Sequence, residues 1–135
     1  MACLRFRISV YGISRRRRTL PVHRLPNLDL FAISGSGVEF GETFASAVFR
    51  EFREETGLDV RPIRLLEVNE SFFTNVCDNT HDALILYEVD QTGGKIEPKG
   101  NVPGSVEVRF VSLNDLLAGQ ILPVFDGFLQ HLAAE

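Results

Sequence analysis

The stretch GETFASAVFREFREETGLDV, residues 41–60, constrains this chain more than any other, because its apolar period and its charges compete for one side of a helix. Each helical residue turns by about 100°. With Phe44 set at zero, Ala47, Val48 and Phe52 lie within roughly 80° of it and form an inward stripe. On the same wheel Glu51 and Glu55 fall within about 20° of Phe44, and Glu54 sits at about 80°. Arg50, Arg53 and Ser46 project the other way. Thr43 suits the N-cap, and Gly57 suits the first position past the C-terminus. Packing such a helix carries carboxylates toward the interior. Glu51 and Glu55, four residues apart, repel by a few tenths of a kcal/mol even on an isolated helix. In a partly dry site ionised carboxylates need a counter-charge.

The remaining pattern is richer in strands than in helices. Leu4 to Ile13 alternates, with Leu4, Phe6, Ile8 and Val10 on one side and Arg5, Arg7 and Ser9 on the other. Further extended segments are expected at Thr19–His23, Leu28–Ile33, within Val60–Phe73, at His81–Val89 and at Val106–Val111. Ser34–Gly37 reads as a glycine loop and Thr92-Gly93-Gly94 as a hairpin turn. Ser112–Leu117 and Val124–Leu132 read as closing helices. So many neighbouring strands exclude an all-parallel sheet, and the expectation is one α/β domain over residues 1–135.

Composition narrows the function classes. The chain has 135 residues and a net charge of −4, with no global pull toward nucleic acid. Residues 1–24 nevertheless hold seven arginines and no acid. The run Arg15–Arg18 reads as a solvated loop or as a grip on phosphates. No apolar run approaches the ~18 residues of a membrane span. Cys3 and Cys77 lack metal-ligand spacing, so a reducing, cytoplasmic setting is expected.

A divalent cation would supply the missing counter-charge. Mg²⁺ or Mn²⁺ takes hard oxygen ligands, and Glu51, Glu54 and Glu55 at i, i+3 and i+4 bring three to one helical side. Mg²⁺ also keeps positions open for water and phosphate, which points to a phosphorylated substrate.

The stretch from Gly35 resembles the signature of the Nudix hydrolase family: Gly, five residues, Glu, seven residues, Arg-Glu-apolar-any-Glu-Glu-any-Gly-apolar. Glu42, Arg50-Glu51, Phe52, Glu54-Glu55, Gly57 and Leu58 fill eight of its nine defined positions at the right spacing. The ninth, the first Gly, falls on Ser36, where positive φ is less accessible than at Gly. The resemblance implies an α/β/α sandwich around a central mixed β-sheet. It implies metal-assisted hydrolysis of a diphosphate linkage in a nucleoside-diphosphate-linked substrate such as a nucleotide sugar, ADP-ribose or a (deoxy)nucleoside triphosphate. By position, Glu51, Glu54, Glu55 and the carbonyl of Gly35 are the implied Mg²⁺ or Mn²⁺ ligands. Glu54 or Glu51 is the implied base, and Arg50 has an orienting, salt-bridging role that Glu42 supports. A further carboxylate in some relatives leaves Glu97 or Glu107 as candidates here, either of which also reads as an exposed strand residue. Arg7, Phe72 and His81 are candidates for substrate contact, although strand exposure or core packing also accounts for them. A homodimer is common among relatives. The rival reading is a nucleotide-binding or interaction module that keeps the fold and has lost turnover.

Overall fold

The computed structural model describes residues 3–14, 19–24, 29–74, 78–96 and 107–134. Strand β1 (Cys3–Ile13) organises the molecule, because both of its edges are paired and both of its faces carry side chains that need burial. It lies between β4 (Gly35–Gly37) and β6 (Asp78–Gly94), and β5 (Leu58–Thr74) continues the sheet in the order β4-β1-β6-β5. The β1–β6 pair is parallel, running from Cys3 opposite Asp78 to Ile13 opposite Glu88; the other two pairings are antiparallel. The central sheet is therefore mixed, as expected. A second, antiparallel sheet has β2 (Thr19–Arg24) between β3 (Phe31–Ile33) and β7 (Val108–Ser112).

Alternation along β1 divides the core. Val10 faces helix α1 (Phe44–Thr56), where Ala47, Val48, Phe52, Leu58, Val60 and Val89 close one apolar cluster. Ile13, on the opposite face, joins Leu84 and Leu86 against Leu20, Val22 and Ile33 of the second sheet. Leu116, Phe125, Phe128 and Leu129 from the C-terminal region complete that second cluster. Each large apolar side chain buried this way contributes about 1.5–3 kcal/mol. The layers form an α/β/α arrangement, with α1 and the closing helices on opposite sides of the central sheet.

Several local expectations are corrected. Gly35–Gly37 is not a free loop but strand β4, held on β1 with Gly35 opposite Tyr11. Gly93 and Gly94 do not turn a hairpin; they pair with Asp59 and Leu58 at the end of a strand longer than its apolar alternation suggested. A Cβ on Gly94, at φ 77°, would stand 2.4 Å from the Gly57 carbonyl, so glycine is required by close backbone approach. The apolar side of β1 is buried only at its far end, since Leu4 is 85% and Phe6 68% exposed. At the C-terminus Ser112 caps α2 (Leu113–Asp115), which runs into a wider turn, Leu116–Gln120, broken where Gly119 takes φ 110°. Pro123 starts a tight turn, and α3 (Asp126–Ala133) follows two residues later than the apolar period placed it. Arg15–Arg18, Glu97 and Cys77 lie outside the described residues. Among the described residues no helix is long and apolar enough to cross a membrane.

Candidate active site

Helix α1 forms between the two caps its sequence encodes. The Thr43 side chain accepts from the Ser46 amide at 3.1 Å, and Gly57, at φ 82°, donates back to the Arg53 carbonyl. Its buried line is Ala47, Val48, Glu51, Phe52 and Thr56. Phe44 has the phase of that line but is 37% exposed, because it occupies the first helical position, upstream of the apolar cluster the helix covers. Phase sets direction, and position along the axis sets depth.

Glu51 is buried, as the wheel required, and its charge is met by Arg50, in the salt-bridging role the resemblance implies. Arg50, which the wheel turns away, folds back across the helix: its Nη1 donates to Glu51 Oε1 at 2.7 Å and stands 3.6 Å from Glu54 Oε2. A guanidinium on a long stem can reverse its Cβ direction, which wheel arithmetic ignores. Its other edge grips Glu42, with Nε to Oε2 at 2.8 Å and Nη2 to Oε1 at 2.9 Å. This two-pronged bond holds the Glu42 carboxyl at about 2, well below the ordinary carboxylate value. Glu42 in turn accepts the Glu39 amide and closes the loop into the helix.

Glu55 points into the junction of α1, β4 and β2. Its Oε1 accepts the Gly35 amide at 3.3 Å, and its Oε2 lies 3.1 Å from Nδ1 of His23. Burial, and then Glu51 beside it, push the Glu55 carboxyl well above the ordinary carboxylate range, against the pull of the Gly35 amide. Burial also lowers the His23 imidazole below its usual value. The glycine demand in the box falls on Gly35 rather than on Ser36. Gly35 has φ 148°, and a Cβ there would meet the Val10 carbonyl at 2.0 Å. Ser36 sits in β4 opposite Val10, and its hydroxyl accepts from Arg7 at 2.8 Å.

Among the described residues, no three His, Cys, Asp or Glu side chains already converge on one point. The donor set still fits a divalent cation. Glu51 is buried and Glu55 partly buried beside it, the Arg50 guanidinium is shared between Glu51 and the half-exposed Glu54, and His23 Nδ1 is a buried nitrogen without a hydrogen-bond partner. Glu51, Glu54 and Glu55 would hold such an ion, and turning Glu51 or Glu54 off Arg50 is the adjustment required.

The three substrate-contact candidates separate onto two faces. Arg7 shares its face of the central sheet with Ser9 and Asp82, where the Ser9 hydroxyl donates to the buried Asp82 carboxylate at 2.8 and 3.0 Å. Tyr11 follows on that face, its phenol pushed up to about 12 by burial and by Asp82. On the other face Phe72 stacks on His81 at 4.2 Å between centroids, Phe6 meets His81 edge-on at 5.1 Å, and Glu70 holds the imidazole at 2.7 Å. These rings border an open groove of about 400 Å³. Of the two further carboxylate candidates, Glu107 is described, and it pairs with Arg109 at 3.3 Å and Arg24 at 3.9 Å. His23, Ser9 and Asp82 escaped the sequence reading. His23 lies at the end of a short extended segment, and only the pairing of β2 brings it to α1.

With this geometry in hand, comparison with known proteins is informative. The family model described as the NUDIX domain matches residues 4–132. An ADP-ribose pyrophosphatase of Methanocaldococcus jannaschii is 36% identical over 86 residues, which is 64% of this chain and 48% of that protein. The chain thus spans about half the length of this curated relative. Among solved structures, the Escherichia coli ORF135 protein superposes with a TM-score of 0.76 at 20% identity, covering 97% of this chain and 91% of that one. A MutT protein from Bacillus halodurans superposes with a TM-score of 0.78 at 16% identity, covering 93% and 81% respectively. At these identities the structural likeness establishes the fold.

Proposed function

The chain belongs to the Nudix family, and from that premise we propose that residues 1–135 form one Nudix domain that hydrolyses a diphosphate linkage in a nucleotide-type substrate with Mg²⁺ or Mn²⁺. The observation that carries the reading is the Glu42–Arg50–Glu51 network beside Glu54 and Glu55. It keeps a buried acidic edge on a helix where a purely structural sequence would place apolar side chains. ADP-ribose is the first substrate to test, because the relative from M. jannaschii bears that activity in its name. Nucleotide sugars and (deoxy)nucleoside triphosphates follow. A small-molecule substrate and a cytoplasmic setting agree with the acidic net charge and the sparse cysteines.

When bound, the cation would neutralise the diphosphate and lower the pKa of a coordinated water. The chain's own groups have separable tasks. Arg50 orients the Glu51 carboxylate and is itself anchored by Glu42. Glu54, with its side chain 51% exposed, is free to swing and take the proton from the attacking water. The Gly35 amide fixes one oxygen of Glu55. Arg7 holds Ser36 in β4, leaving its remaining donors for a substrate phosphate.

With ADP-ribose, water adds to one phosphorus and the bridging P–O bond breaks, releasing AMP and ribose 5-phosphate. Product release from a substrate panel with Mg²⁺ or Mn²⁺ tests the reading. Loss of at least ~100-fold in kcat in both Glu54→Gln and Glu55→Gln is expected. Full activity in both variants would remove the proposed site. The rival reading is a nucleotide-binding module without turnover. That rival predicts ligand binding unaffected by either substitution.

A further inference from the structure

His23 is the group at this junction that the reading so far does not use. Its position is set by the second sheet, where it pairs with Ala32 on one side and Val108 on the other. Its side chain nevertheless leaves that sheet and ends against α1, with Nδ1 3.1 Å from Glu55 Oε2. Nδ1 is buried and has no aligned hydrogen bond, even to the carboxylate beside it. An imidazole serving only as an ion-pair partner for Glu55 would direct its N–H along the line to the oxygen. Two electron-pair donors in contact without bonding to each other are placed to share a third centre. Neighbouring ligands of an octahedral ion with bonds of about 2.1 Å stand roughly 3.0 Å apart, close to the distance seen here. The Gly35 amide occupies the other oxygen of Glu55, and Oε2 is the one that faces His23.

We propose that His23 Nδ1 is a direct nitrogen ligand of the divalent cation, beside Glu55, and that it biases the site toward ions that accept imidazole, Mn²⁺ or Co²⁺, over Mg²⁺. The inference rests on the metal-dependent reading above. It adds a donor from β2 to a set otherwise drawn from α1, so the ion ties the second sheet to the box helix. Imidazole is a softer donor than carboxylate, which gives the bias its sign.

Pulsed electron paramagnetic resonance of Mn²⁺ bound to the full chain tests this directly. In protein grown with ¹⁵N-histidine, a ¹⁵N coupling to Mn²⁺ is expected, retained in His131→Gln and lost in His23→Gln. Mn²⁺ affinity should fall about 10–100-fold in His23→Gln, the range for disturbing a metal site's ligand support, and Mg²⁺ affinity should fall less. A saturable Mn²⁺ signal with no histidine coupling, weakened by Glu55→Gln, would overturn the role of His23 while leaving the metal site standing. Mn²⁺ that fails to bind the wild-type chain, or binds Glu55→Gln equally well, would overturn the metal reading itself. Should His23→Gln fold poorly, a ¹⁵N coupling retained in both His81→Gln and His131→Gln leaves His23 as its source, and loss of the coupling in either variant would overturn the assignment.

Discussion

On one face of β1 the Ser9 hydroxyl is wholly buried and donates to Asp82, whereas on the other Phe6 stands 68% exposed against His81 and the 70% exposed Phe72. The usual distribution is inverted, with polar groups dry and aromatic rings wet. The cause lies in what covers each face. The second sheet and closing helices enclose the Ser9 face, so its polar groups must satisfy one another. Helix α1 spans only the Val10 end of the other face, leaving Leu4, Phe6 and Phe72 bare. A single strand thus presents a wired polar face and an open aromatic one, and function can draw on both.

The sharpest way to break this comparison is to delete one phenylalanine from the covered end and one from the bare end of the aromatic face. Phe52→Ala, fully buried under α1, should cost about 3–5 kcal/mol. Phe72→Ala should cost no more than about 0.5 kcal/mol. Urea unfolding of both variants measures the difference, and similar losses would mean that the groove is core. The polar counterpart is smaller. Asp82→Ala strands the buried Ser9 hydroxyl and should cost about 1–3 kcal/mol, while Glu70→Ala, removing an exposed partner of His81, should cost less than about 1 kcal/mol.

If a nucleobase rests on the open face, Phe72→Ala should raise KM roughly fivefold, about 1 kcal/mol, at unchanged kcat. Unchanged KM across the substrate panel would separate the groove from the active site. The smallest effect concerns pH. Arg50 holds Glu42 at about 2, below the ordinary carboxylate value of 4.5. A carboxyl lowered by folding contributes stability that is fully present above 4.5 and is lost as pH falls toward 2. Glu42→Gln should flatten the stability–pH curve in that window, as read by thermal melts at several pH values. An unaltered slope would show that the bond to Arg50 carries no net linkage.

Helix α1 was legible almost to the residue, because caps and period are local properties of the chain. Thr43, Gly57 and the burial of Glu51 all follow from spacing within one segment. Long-range pairing hid the rest. Gly35–Gly37 reads as a loop until β1 offers an edge for it, and Gly93-Gly94 reads as a turn until Leu58 and Asp59 lie opposite. The wheel turns Arg50 away from Glu51 because it tracks Cβ vectors and not the reach of a guanidinium, and only the resemblance gives Arg50 its salt-bridging role. Arg7, Phe72 and His81 are separate candidates for substrate contact in the sequence, and strand parity sends Arg7 to the opposite face from the other two.

By itself, then, the sequence determined the acidic edge of α1, its caps and its box spacing, because helical geometry repeats every few residues and needs no partner. Tertiary structure alone decided that Glu55 meets His23, that Gly35 rather than Ser36 bears the backbone demand, and that Ser9 finds Asp82. Each of those contacts joins segments whose register is set by sheet pairing between distant stretches, and no local period encodes it.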